Sequence, residues 1–148
     1  GEPLFWEVAE RAQRPFLATH SNARALCAHP RNLTDEMLRA VGEKGGVVGL
    51  NFYSAFLTEK KERAGLEMLA EHAKRMIRMA GEDAVALGTD FDGFERKDLP
   101  EKLEGAERIE LVWDAFQKAG ITSRQTEKIA YGNLFRVIEA GCGKTSVS

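Results

Sequence analysis

Three apolar runs in this 148-residue chain end in side chains that could do chemistry. PFLA leads into Thr19-His20-Ser21-Asn22, GVVGL into Asn51 and Tyr53, and AVALGT into Asp90 and Asp92. An imidazole at the end of a strand can ligate a metal, and a carboxylate can accept and return a proton. Arg31 follows the first cluster, and its planar fork matches a carboxylate bidentately. Each residue also has a plainer role. His20 could donate to a backbone carbonyl. Asp90 and Asp92 could form Asx-turns with Gly93, and Arg31 could be a solvated loop cation. Strand alternation lets only one of the two aspartates share the inward face, and Asp90 lies nearer the strand end. The recurrence at three run ends carries more weight than any one residue, because parallel α/β proteins gather ligands at the carboxyl ends of their strands.

The intervening segments supply the elements that would hold these residues. Leu4, Phe5, Val8, Ala9 and Ala12 form a helical stripe stopped by Pro15. Thr34 is placed to cap a second helix carrying Met37, Leu38 and Val41, ended by Gly45-Gly46. Leu66, Leu69, Ala73, Met76, Ile77 and Ala80 mark a third, closed by Gly81. Ile109, Val112, Phe116 and Ala119 mark a fourth, stopped by Gly120. Thr122 and Gln125 have capping-box spacing and open a fifth; Gly132-Asn133 is expected to break it before a last short helix, NLFRVIEA. The three runs, apolar throughout, read as strands buried on both faces. The order α-β-α-β-α-β-α-α-α predicts a parallel α/β sheet with helices on both faces, in a single domain over 1–148 with a frayed tail over 141–148. His29 and His72 read as structural, with His72 on a helix face among charges.

Composition excludes several classes. The formal net charge of −2 gives no case for nucleic acid, and no apolar run is long enough to span a bilayer. Cys27 and Cys142 are too few for a disulfide framework, so a reducing, cytoplasmic setting is expected. GCGKT near the end lacks the earlier glycine of a phosphate loop, since Ile138 stands there, and no helix follows it. The chain opens at Gly1 directly in a helical pattern, which leads to the expectation of a processed, trimmed or fragmentary polypeptide.

Four stretches, THSNARALCAHPRNLTDEML, GGVVGLNFY, ALGTDFDGF and GNLFRVIEAG, occur in the order and spacing that resemble the membrane dipeptidase (renal dipeptidase-like) family, peptidase family M19. The likeness runs from about Leu4 to Gly141. It implies the last three β/α units of a metal-dependent hydrolase (β/α)8 TIM barrel, incomplete in this chain. It also implies a zinc-dependent dipeptidase of the amidohydrolase superfamily, with a pair of zinc ions whose bridging hydroxide attacks the peptide carbonyl. By the same resemblance His20 is a metal ligand, Asp90 handles the proton of the attacking water, and Arg31 holds the carboxylate of the dipeptide substrate.

The family's other metal ligands have no match here, namely a His-x-Asp pair, a bridging Glu and a further His. One histidine cannot hold a catalytic zinc, which needs about three protein ligands. The chain is therefore expected to be a fragment, inactive alone, that self-associates or joins a complementary amino-terminal part. The alternative is a catalytically inactive α/β module that self-associates and binds peptide or metal weakly.

Overall fold

The computed structural model describes residues 2–12, 17–18, 22–29, 32–50, 65–87, 109–133 and 136. In chain order they form α1 (Glu2–Arg11), β1 (Leu17–Ala18), α2 (Asp35–Glu43), β2 (Val47–Leu50), α3 (Leu66–Ala80), β3 (Val85–Leu87), α4 (Ile109–Lys118) and α5 (Ser123–Glu127). A π-helical turn, Lys128–Gly132, continues α5.

The strands form one parallel sheet in the order β1-β2-β3. Leu17 pairs with Val47, Val48 with Val85, and Leu50 with Leu87. Every residue of β2 is buried, as a central strand covered on both faces requires. Strand order follows chain order without a reversal. Right-handed crossovers then put successive helices on the same side of the sheet. The described helices pack accordingly, α1 on α2, α2 on α3 and α3 on α4. Among the described residues, successive helices pack side by side, as consecutive units of a β/α barrel do.

Local signals place the helix ends. The Thr34 side chain accepts from the Met37 amide at 3.2 Å, and Asp35 and Glu36 occupy the first turn of α2. Thr122 and Gln125 close a capping box, each side chain accepting from the other's backbone N–H. Gly81 ends α3 with φ of +97°, where a side chain would be strained. The core between helices and sheet contains Phe5, Met37, Leu38, Leu50, Leu69, Met76, Phe116 and Ile129, all fully buried. Burying each of these side chains is worth about 1.5–3 kcal/mol. Gly42 lets α2 approach the end of α3 closely: an added Cβ would lie 2.0 Å from the Ala80 carbonyl oxygen.

The chain does not break at Gly132-Asn133. Asn133 keeps helical backbone angles, and its amide N–H reaches back five residues to Lys128. Its buried side chain donates to the carbonyls of Glu82 and Val85, both at 2.7 Å, at the start of β3. Two long-range bonds outweigh the turn preference of a Gly-Asn pair. Arg136 adds bonds to the Asp83 carbonyl at 2.8 Å and the Gly45 carbonyl at 3.2 Å.

One carboxylate ties α2 to α3, and another ties the turn after α3 to α5 and the π-helical turn. Asp35 pairs bidentately with Arg75 of α3, through Nε at 3.2 Å and through Nη2. Glu82 receives Lys128 at 3.1 Å, Gln125 at 3.1 Å and Arg124 at 3.2 Å. The Arg75 hydrogen bonds hold the Asp35 carboxyl below its ordinary value of 3.8, against the opposing effect of burial. Lys128 and then Gln125 hold Glu82 below 4.5. A carboxylate with a lowered folded-state pKa stabilises the fold above its unfolded value, and that contribution is lost as pH falls through the folded value. Stability should therefore decline as pH drops below about 4.5 and further below about 3.8. The double variant Asp35→Asn, Glu82→Gln should start less stable at pH 7 and lose less between pH 5 and about pH 2.5. Urea midpoints across that range read the difference, and parallel curves would remove both carboxylates as its source.

Candidate functional site

His20, Arg31 and Asp90 all lie outside the described residues, as do Asn51, Tyr53 and Asp92. The structure describes the backbone that approaches them. His20 follows β1 by two positions, and Asp90 follows β3 by three.

After β1, residues 22–29 and 32–33 are held by their own hydrogen bonds. Ala23 and Leu33 form a parallel bridge. Leu33 donates to the Asn22 carbonyl and Arg24 to the Leu33 carbonyl, both at 2.8 Å. Asn32 is fully buried; its Oδ1 accepts from the Asn22 amide at 3.0 Å and its Nδ2 donates to the Cys27 carbonyl at 3.0 Å. The Arg24 Nε donates to the Asn32 carbonyl at 2.9 Å. A buried amide that bonds through both ends fixes two backbone stretches at once, because leaving either end unpaired would cost about 1–3 kcal/mol.

His72 anchors this segment from outside. The ring is fully buried on α3, and Nδ1 accepts from the Ala23 amide at 3.2 Å. The expectation of a histidine among charges is corrected. Glu71 and Lys74 are exposed, but His72 shares the buried stripe of Leu69, Ala70, Ala73 and Met76. Its spacing of three from Leu69 and four from Met76 was the available signal. Asn32 left a fainter one, its place just before the Leu33-Thr34 entry to α2.

Among the described residues, no three His, Cys, Asp or Glu side chains come together to hold a metal. Among the same residues, no helix is long and apolar enough to cross a membrane.

A model of the membrane dipeptidases, peptidase family M19, matches residues 1–143. The chain belongs to that family. An uncharacterized protein of Klebsiella pneumoniae, from the pqqA 5′ region, is 40% identical over 141 residues, which are 93% of this chain and 51% of that protein. An uncharacterized dipeptidase of Schizosaccharomyces pombe is 34% identical over 136 residues, covering 88% of this chain and 32% of its own length. This M19 chain thus spans about half or less of the curated relatives it matches.

Solved structures agree. A metallopeptidase from Rhodobacter sphaeroides, bound to a phosphinate mimic of the dipeptide L-Ala-D-Ala, is 34% identical with a TM-score of 0.84. The match covers 92% of this chain and 39% of that one. Dipeptidase AC, a metallopeptidase of family M19, gives a TM-score of 0.83 at 34% identity, covering 92% and 40% of the two chains. The parallel β/α units of this M19 chain therefore correspond to a part of the dipeptidase barrel.

Proposed function

We propose that this chain contributes part of the site of a zinc-dependent dipeptidase and works once the remaining metal ligands are supplied by another segment. The reading is carried by the match to the Rhodobacter metallopeptidase, whose ligand is a dipeptide mimic. Strand order supports it too. β1 and β3 flank β2, so their tips are separated by two strand spacings, about 9.5 Å. An imidazole reaching from one tip and a carboxylate from the other can frame a single reacting water. A pair of bound zinc ions would supply that water in activated form at neutral pH. In this reading His20 is a metal ligand of the pair. Asp90 accepts a proton from the attacking water and returns it to the leaving amine. Arg31 holds the substrate's free carboxylate and so restricts the site to short peptides.

The test is reconstitution with a segment that supplies the rest of an M19 dipeptidase, in the presence of zinc. Dipeptide hydrolysis should arise only in the mixture. Arg31→Ala should raise KM for free dipeptides about ten-fold, with a smaller change in kcat. An unchanged KM would remove the carboxylate clamp. A zinc-loaded mixture without turnover would favour the inactive, weakly peptide-binding module.

A further inference from the structure

We propose that His72 is a positioning residue for substrate: through the Ala23 amide it sets the backbone from which the carboxylate-binding arginine is presented. The proposal rests on the reading of Arg31 given above. His72 lies in the middle of α3, forty-nine positions from Ala23 in sequence, yet Nδ1 accepts that amide's proton at 3.2 Å. Ala23 is one half of the bridge to Leu33, and Leu33 and Asn22 are bonded at 2.8 Å. Asn32, the residue after Arg31, is bonded to Asn22 and Cys27. The described residues on either side of Arg31 are thus joined to each other and fixed to a buried helix face.

The chemistry requires an acceptor at that place on α3. Ala23 is fully buried, so without His72 Nδ1 its N–H loses this partner away from water. An imidazole is rigid and this one is fully buried, so it transmits the position of α3 to Ala23 without a flexible stem. Leucine would fill much of the same space and offer no acceptor. Asparagine would place Oδ1 near the position of Nδ1, whereas glutamine would carry its oxygen one bond farther out.

The experiment has a structural arm and a kinetic arm. In this chain, His72→Leu should speed amide hydrogen exchange at Ala23 and Leu33 at least about ten-fold while leaving the α3 amides protected, and His72→Asn should restore protection. In the reconstituted dipeptidase, His72→Leu should raise KM for a free dipeptide about ten-fold with kcat changed less than about two-fold. The KM for the corresponding dipeptide amide, which lacks the carboxylate, should stay the same. His72→Asn should return KM to near its starting value, and His72→Gln should behave like leucine. If the leucine variant does not fold, the contrast between asparagine and glutamine carries the test. Unchanged exchange at Ala23, or an equal KM rise for the free dipeptide and its amide, overturns the proposal. If Arg31→Ala leaves KM unchanged while the His72 variants still loosen Ala23, the arginine reading fails and the brace itself stands.

Discussion

Gly42→Ala should destabilise the protein by about 3 kcal/mol or more, although alanine is the better helix former by about 1 kcal/mol. The new Cβ would sit 2.0 Å from the Ala80 carbonyl oxygen, 2.9 Å from its carbon and 3.2 Å from its Cα. All three are backbone atoms at the end of α3, so no rotamer change relieves the overlap. Either α2 and α3 separate or α3 unwinds in its last turn. Separation would open the layer between Val41 and Met76, both fully buried. It would also move α3, which carries His72, away from the loop that runs into α2. Urea unfolding of the variant measures the loss, and a midpoint equal to or above that of the parent would show that the helices part at little cost. Gly81→Ala and Gly120→Ala offer a contrast, because nothing lies within 4 Å of an added Cβ there and only their positive φ opposes the change.

Asn133→Leu should cost about 3 kcal/mol with little change in side-chain volume. Both of its amide protons are used, one on the Glu82 carbonyl and one on the Val85 carbonyl, and the residue is 2% exposed. Leucine leaves two carbonyls to find other donors. Asn133→Asp is the sharper variant. It keeps the shape but places an ionised acceptor against two carbonyl oxygens, so it should be worse than leucine at pH 7. It should recover in part as the carboxyl protonates in acid, where it regains one donor. Denaturant midpoints at pH 7 and about pH 4.5 decide it. A leucine variant as stable as the parent would mean that the start of β3 is held by other means.

What the sequence made legible was local. The caps at Thr34 and at Thr122 with Gln125 follow from residues three positions apart, and both are formed. The strands are apolar on both faces, so their places could be read before their partners were known. Long-range relations were harder. Asn133 looked like a breaker because its partners lie some fifty positions earlier. His72 looked polar-facing because of the charges beside it, when the stripe three and four positions away decided its burial. Gly42 gave no signal, since a close approach between helices belongs to the pair and not to either segment. The family likeness came from the order and spacing of four motifs, and the match over 1–143 bears it out. The three chemical residues themselves fall outside the described part of the chain, and the roles proposed for them rest on the family resemblance and on strand order.

The π-helical turn has a consequence for Asn133 and Arg136. Closing its ring takes one residue more than an α-turn does, and each residue advances the helix by about 100°. That single additional position rotates these two residues by more than a quarter of a circle about the helix axis. Asn133 and Arg136, three positions apart, share the direction this rotation selects, and both end on backbone carbonyls at the feet of the strands. Deleting one residue between Lys128 and Gly132 would leave both side chains intact but aimed elsewhere.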